Sequence, residues 1–137
     1  MLIETIRFGA LDLKEDALIH FPWGIPGFED LKQYVLLDHR TGPFQWLQAV
    51  DDPEVAFIVC SPDVVGAAYR VPGDKLNALS IKTSDDLLVL VMVSFDRDKK
   101  APKLHLGGPL LFNAANRRAC QWTIDARDLP KYLLTAG

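Results

Sequence analysis

The 137-residue sequence predicts an all-β, mainly antiparallel fold: a small, single-domain, barrel-like structure with one or two short helices. Three observations favour this class. Ten short stretches are rich in β-branched, aromatic and apolar residues, turn signals separate them, and few stretches have the period of a helix. The nine Pro and nine Gly residues keep the elements short. Short strands at spacings of about 8–12 residues with frequent turns are typical of a barrel or a sandwich.

The predicted strands follow one another along the chain. The first stretch alternates, with Ile6 and Phe8 on one face and Thr5 and Arg7 on the other. The stretch LLVLVMVSF is apolar on both sides, which indicates a central strand, although periodicity alone does not separate it from a buried helix. The predicted strands are 2–8, 17–21, 34–37, 44–50, 55–60, 67–71, 87–95, 103–106, 109–113 and 120–124.

Helix signals are few and short. Residues 29–33 could form one turn after Pro26 and Gly27, and residues 74–79 a short helix capped by Asp74. No repeat, low-complexity segment or linker divides the sequence. One domain over residues 1–137 is therefore expected.

Composition and charge limit the function classes. With 49% apolar and 24% charged residues, the composition is that of a globular protein. No apolar run approaches the ~20 residues that cross a bilayer, and the N-terminus lacks a signal-peptide pattern. We therefore expect a cytoplasmic protein without membrane contact. A formal net charge of −3 argues against direct binding of nucleic acid.

Charge is distributed unevenly along the chain. Residues 1–63 hold eleven acidic and four basic side chains, whereas residues 64–137 hold seven acidic and eleven basic ones. The net charges are therefore −7 and +4. This asymmetry predicts an acidic face, which would favour a basic protein partner through complementary potentials.

No motif for catalysis or metal binding is visible. His20, His39 and His105 have no metal-ligand spacing. Cys60 and Cys120 match no metal or redox pattern and are expected to be buried free thiols. The sequence also lacks a GxSxG elbow, a phosphate-binding loop and a GxGxxG fingerprint. We therefore expect a protein that is not an enzyme and that needs no cofactor or metal.

Two segments predict a binding surface instead. FPWGIPGFED at 21–30 is stiffened by Pro and bent at Gly, so its rings can be held in one pose for a partner or can cap a barrel end. In 42–63, Phe44, Trp46 and Phe57 could be core while the polar side chains project outward. The candidate contact residues are Ile25, Pro26, Phe28, Glu29, Gln45, Gln48, Asp51, Asp52 and Glu54.

At these two segments the sequence resembles the FliW family of flagellar assembly factors. GIPGFED at 24–30 and PFQWLQAVDDPEVAFIV at 43–59 follow the family's order and spacing, and the match continues to about residue 95. The last third departs from the family pattern. There, His105 replaces an Asn and Gly108 an Ala. The residues that remain as expected are Leu106, Pro109, Asn113 and Gln121.

The resemblance implies a small, mostly β, FliW-like barrel without enzymatic activity. Members of the family bind flagellin, and when flagellin has been exported they bind CsrA, an RNA-binding translational regulator that is basic where it contacts RNA. Binding antagonises CsrA allosterically and relieves repression of flagellin translation. The partners expected here are therefore flagellin and a CsrA-type regulator, and we expect the chain to be a monomer.

The residues leave two other functions open. A small-ligand-binding or hydrolytic β-barrel could use His20, His105 or Asp51 in its mouth. An oligonucleotide-binding barrel could instead stack bases on Phe21, Trp23 and Phe28. The sequence has no basic stripe near those rings, which argues against nucleic-acid binding.

Overall fold

A computed structural model describes residues 1–38, 42–95, 98 and 101–135. His39 lies outside these ranges. The strands are β1 (Leu2–Thr5), β2 (Gly9–Asp12), β3 (Ile19–His20), β4 (Gln33–Asp38), β5 (Gln45–Ala49), β6 (Ala56–Cys60), β7 (Ala67–Tyr69), β8 (Leu87–Phe95), β9 (Pro102–Leu104), β10 (Leu110–Asn113), β11 (Arg118–Gln121) and β12 (Leu133–Thr135). The two short α-helices within these ranges are α1 (Gly73–Ala78) and α2 (Leu129–Tyr132).

The main sheet closes into a ring. Its strand order is β10-β11-β3-β4-β5-β6-β8-β9, and β10 also pairs with β8. In the described part of the chain, seven strands thus form a closed circuit, with β9 beside β8. The pairings are antiparallel except for β11 with β3, which is parallel and joins Arg118 to His20. The predicted all-β, mainly antiparallel class with two short helices is confirmed.

The nine-residue strand β8 is central, as predicted. It pairs with β10 along its first half, with β6 near its middle and with β9 at its end. Leu90 and Met92 contribute to one apolar cluster, whereas Val91 and Val93 belong to another on the opposite face. Because both faces of the strand are covered, its sequence shows no polar alternation.

The interior of the ring holds the largest core. Phe21 lies edge-on to Tyr34 and to Phe112, with ring centroids 5.0 and 5.9 Å apart, a favoured arrangement for aromatic pairs. Burial of each large side chain of this kind contributes roughly 1.5–3 kcal/mol. The buried residues of this core are Ile19, Phe21, Ile25, Tyr34, Leu47, Ala49, Val59, Leu90, Leu110, Phe112 and Ala119.

The N-terminal segment is a hairpin rather than one long strand. β1 ends at Thr5, and β2 folds back on it in antiparallel register. The Thr5 hydroxyl donates to the Gly9 carbonyl and accepts from the Phe8 N–H, so it closes the turn. Thr5 is therefore buried and Ile6 is 66% exposed, which reverses the predicted faces of this segment.

The hairpin packs on the outer face of β4 and β5. Ile3 joins Leu18 and Val35 in a second apolar cluster. The Ile6 N–H donates to the Pro53 carbonyl, which ties the hairpin to the far end of β5. The outer face of these strands is consequently covered at this point and not solvated.

Other sequence predictions need correction at the ends of elements. Residues 29–33 form a turn leading into β4, and no helix forms there. Helix α1 begins at Gly73 after Pro72, and Asp74 lies in its first turn without capping it. Strand β11 begins at Arg118, two residues before the predicted start. The sequence did not indicate β2, α2 or β12.

The helices and the C-terminal strand cover a further part of the ring. β12 pairs with β7, and the buried residues Leu79, Leu111 and Trp122 form a cluster beneath α1 and α2. Both cysteines are free thiols; Cys60 is buried and Cys120 is half-buried. Within the described ranges, no helix is long and apolar enough to span a membrane.

Candidate partner-binding site

Two connections lie side by side at one end of the ring. β4 begins where β5 ends, with Tyr34 opposite Ala49 in the register. The connection 21–32, which precedes β4, is therefore next to the connection 50–55, which follows β5. The Val50 N–H donates to the Gln33 carbonyl at 3.0 Å. We call these two connections the end face; it contains most of the predicted contact residues.

Consecutive tight turns fix the shape of the connection 21–32. The Gly24 N–H donates to Phe21 O at 2.9 Å, the Phe28 N–H to Ile25 O at 2.7 Å, and the Leu31 N–H to Phe28 O at 3.0 Å. Phe21 and Ile25 anchor the segment because both are buried in the core. The loop is thus held by backbone bonds and two apolar anchors, in line with the stiffness expected from its Pro and Gly residues.

Some predicted contact residues of this loop face solvent and one does not. Pro26, Phe28 and Glu29 are exposed, and Trp23 is 56% exposed. Ile25 is 2% exposed, so its inclusion among the contact residues is wrong: its side chain is part of the core. Phe28 stays exposed while its ring lies edge-on to Phe57, with centroids 5.2 Å apart.

The connection 50–55 presents Asp51 and Glu54 to solvent, with Asp52 half-exposed. The Asp52 carboxylate accepts the Glu54 N–H at 3.0 Å, a local side-chain bond typical of turns. Asp51 and Glu54 thus project outward as the sequence predicts, whereas Asp52 does so only in part.

Gln48 does not project outward as predicted. Its side chain is fully buried. Its Nε2 donates to Ala49 O at 3.0 Å and to Val55 O at 3.2 Å, and so braces the connection 50–55 from inside. Gln48 is therefore a structural residue.

Gln45 is at the other end of β5. It lies opposite Asp38 and Val59 in the register, away from the end face. The structure therefore does not bring Gln45 together with the other predicted contact residues. Three aromatic residues nearby that could be core, Phe44, Trp46 and Phe57, are half-buried. Phe57 packs against the ring interior, and Phe44 packs against the apolar cluster that contains Cys60. The Arg7 guanidinium lies 4.3 Å above the Trp46 ring.

The end face is acidic. Five carboxylates lie in its two connections, and four of them are exposed. The Gly27 N–H donates to the Glu29 carboxylate at 3.0 Å, and this bond holds the pKa of Glu29 below its ordinary value. The residues are Glu29, Asp30, Asp51, Asp52 and Glu54. Part of the acidic excess in the first half of the sequence is therefore gathered on one surface.

A groove of about 480 Å³ runs along one side of the end face, between Trp23 and α1. Sequence reasoning missed its far wall, which Lys75 and Ala78 of α1 form with Cys120 and Gln121 of β11. Burial raises the pKa of the Cys120 thiol, and the nearby Lys75 charge partly offsets this rise. No local signal connects α1 to residues 21–30; only the ring brings them together.

Histidine and carboxylate groups do not converge on a metal site in the described ranges. No set of three His, Cys, Asp or Glu side chains there could hold an ion. His105 is exposed and lies 3.1 Å from the Ser94 hydroxyl. Phe21, one of the rings proposed for base stacking, is fully buried and so has no free face for a base.

Comparisons with a family model, with related sequences and with a solved structure all point to one family. A family model described as FliW protein matches residues 2–133. A protein named flagellar assembly factor FliW from Caldicellulosiruptor bescii is 33% identical over 94% of this chain and 86% of its own length. A protein of the same name from Moorella thermoacetica is 37% identical, with 91% and 82% covered. A crystal structure described as the flagellar assembly factor FliW superposes with a TM-score of 0.84 at 26% identity, covering 92% of this chain and 90% of that one.

Proposed function

The chain belongs to the FliW family, and from this premise we propose that it acts in flagellar assembly by binding flagellin. When free of flagellin, it binds a CsrA-type regulator and antagonises it allosterically, which relieves repression of flagellin translation. The exchange takes place in the cytoplasm, where the flagellin messenger is translated. This function requires two binding equilibria and no chemical step.

The observation that carries the proposal is the end face itself. It combines five carboxylates with two exposed aromatic rings on a segment held by backbone bonds. Aromatic side chains such as Trp23 and Phe28 are typical anchors of protein interfaces. Acidic groups around them speed the encounter with a basic protein and disfavour acidic competitors. A basic protein partner fits such a surface.

A partner switch also needs exclusive binding. If two proteins compete for one chain, the apparent affinity of each falls as the other is supplied. A single rigid end face would provide this competition without any conformational change.

The switch is tested by titrating the protein into a preformed complex of CsrA with flagellin leader RNA and following RNA release by gel shift. We expect release on addition of the protein and its reversal when flagellin is added. Absence of release, together with absence of CsrA binding by calorimetry, would refute the regulatory half of the proposal. Flagellin binding would then be measured separately.

Charge removal tests the end face as the contact surface. We expect the double variant Asp51→Asn/Glu54→Gln to bind the CsrA-type regulator roughly 5–10-fold more weakly at low salt, because exposed charges each contribute up to about 1 kcal/mol. The matched control is Asp63→Asn/Asp85→Asn, which removes the same amount of charge. Asp63 follows the end of β6, and Asp85 precedes the start of β8. Equal weakening in both variants would indicate a net-charge effect and exclude this surface.

A further inference from the structure

A second cleft, of opposite charge, borders the connection 21–32. It has a volume of about 470 Å³. Its walls carry three basic side chains, His20, Lys32 and Arg118, and all three are exposed. The residues lining it are His20, Phe21, Pro22, Lys32, Asn116 and Arg118.

Strand pairing brings these basic groups together from distant parts of the sequence. Arg118, at the start of β11, is the parallel partner of His20 in β3, and His20 in turn lies opposite Gln33 in β4. Lys32 immediately precedes Gln33, and its carbonyl accepts the Phe21 N–H at 2.8 Å. The three side chains therefore come from neighbouring positions across the β11, β3 and β4 segments of the ring.

The wall beside Arg118 is held in place by hydrogen bonds. Asn116 Nδ2 donates to Leu79 O at 3.1 Å, and Asn116 Oδ1 accepts the Arg118 N–H at 3.0 Å. Arg117 has a positive φ of 62°, and its guanidinium donates to Ala17 O at 2.9 Å. The Arg117 side chain thus makes a hydrogen bond within the fold, whereas the Arg118 side chain lines the cleft.

Lys32 and Arg118 form no ion pair among the described residues. The pairs within 4.0 Å there are Met1–Asp12, Arg127–Asp125 and Lys131–Asp128. On a chain with a net charge of −3, these two cations thus lie in the cleft without a salt bridge, although the Lys32 charge contributes to the lowered pKa of Glu29.

We propose that this cleft binds an acidic segment of a protein partner. The Arg118 guanidinium can receive a carboxylate on two N–H groups, and Lys32 and His20 can donate to a second acidic side chain. Glu29 and Asp30, which precede Lys32 in the chain and do not line the cleft, disfavour an acidic segment that extends towards them.

A protein segment fits this site better than a nucleic acid. Phe21, the one Phe, Tyr or Trp side chain among the described lining residues, is fully buried and has no face for stacking. The inference does not rest on the proposed flagellin or CsrA-type partners, since its test needs neither.

The test uses a short fluorescein-labelled peptide of alternating glutamate and glycine and measures fluorescence anisotropy at low salt. We expect saturable binding that weakens as salt rises, and no binding of the glutamine–glycine counterpart. Lys32→Gln/Arg118→Gln should weaken binding by about tenfold or more. The matched control Arg70→Gln/Lys103→Gln, which also removes one Arg and one Lys at exposed positions outside the cleft, should bind normally.

Three outcomes would overturn the proposal. The peptide fails to bind, the control variant loses binding as much as the cleft variant, or a single-stranded oligouridylate binds the cleft more tightly than the peptide. If the double variant does not fold, as judged by circular dichroism, the single charge reversal Arg118→Glu at the exposed first residue of β11 takes its place. The same loss of peptide binding is expected from it.

Discussion

Two glycines of the connection 21–32 are required for different physical reasons. Gly24 has a φ of 68°, and a Cβ there would lie 2.6 Å from the Glu29 Cα and 2.7 Å from the Glu29 carbonyl oxygen. Gly27 has a φ of 88° but open space around the corresponding Cβ position. The first position therefore needs both the left-handed conformation and the missing side chain, whereas the second needs the conformation alone.

We expect Gly24→Ala to lower the free energy of unfolding by about 3 kcal/mol or more, and Gly27→Ala by about 1–2 kcal/mol. The larger loss arises because backbone atoms of Glu29 would have to move. Urea unfolding of the two variants measures the difference. Equal losses would mean that the close approach of Gly24 to Glu29 is not formed.

Two tyrosine hydroxyls, those of the buried Tyr34 and the half-buried Tyr69, form a second matched pair. The Tyr69 hydroxyl donates to the Leu106 carbonyl, whereas the Tyr34 hydroxyl has no hydrogen-bond partner within the described part of the chain. We expect Tyr69→Phe to cost about 1 kcal/mol of unfolding free energy, and Tyr34→Phe to cost nothing or to stabilise by up to about 1 kcal/mol. Thermal unfolding of both variants checks the order, and the reverse order would contradict it.

At the scale of elements, the N-terminal hairpin shows the limit of a periodicity argument. The sequence predicts alternation in residues 2–8, but the phase of that alternation depends on where the chain turns. The Thr5 hydroxyl closes that turn and Gly9 has a φ of 68°, so β1 buries Ile3 and Thr5 and leaves Ile6 outside. A turn one residue later would have given the opposite faces.

This phase predicts the outcome of two similar truncations. Ile3→Ala should cost about 2–4 kcal/mol of unfolding free energy, because Ile3 is 3% exposed and packs against Leu18 and Val35. Ile6→Ala should change it by less than about 0.5 kcal/mol, because Ile6 is 66% exposed. Chemical denaturation measures both losses of unfolding free energy. A larger loss for Ile6→Ala than for Ile3→Ala would mean that the face carrying Ile6 is the buried one.

One of the elements that the sequence did not indicate, β12, depends on a distant partner. It pairs with β7, although more than sixty residues separate the two strands in the chain. β12 has only three residues, which is too short for a clear local pattern, and its stability comes from the partner strand. The strands that were predicted correctly, above all β8, carry long runs of β-branched and apolar residues between Pro and Gly turns.

At the scale of the whole molecule, the ring decides which charges become neighbours. Carboxylates from two connections meet on the end face, whereas Lys32, just before β4, and Arg118 of β11 line the adjacent cleft together with His20 of β3. A chain with a modest net charge thus carries two local surfaces of opposite sign. Each surface is predicted to select a partner of the complementary charge.

The folded molecule should also lose stability at high pH. Burial raises the pKa of Tyr34 and of Tyr69 to about 12, against about 10 in the unfolded chain. Above pH ~10 the unfolded chain releases phenolic protons that the folded chain retains, so the unfolding free energy falls as pH rises from about 10 to about 12. Urea unfolding across this interval measures the slope.

The double variant Tyr34→Phe/Tyr69→Phe should show a shallower decline in the same interval, because it has no phenolic group at either position. An unchanged slope would assign the alkaline loss to other groups.

By itself, the sequence determined the β class, the positions of most turns, the central place of β8, and the two segments that form the end face. These features depend on local composition: Pro and Gly fix turns, and apolar β-branched runs form strands whatever surrounds them. The tertiary structure alone decided that the sheet closes through β8 and β10, that Ile25 and Gln48 are buried, and that Gln45 lies at the opposite end. The tertiary structure also decided that Arg118 of β11 pairs with His20 of β3. These outcomes depend on strand register and on pairing between distant segments, for which a local stretch of sequence carries no signal.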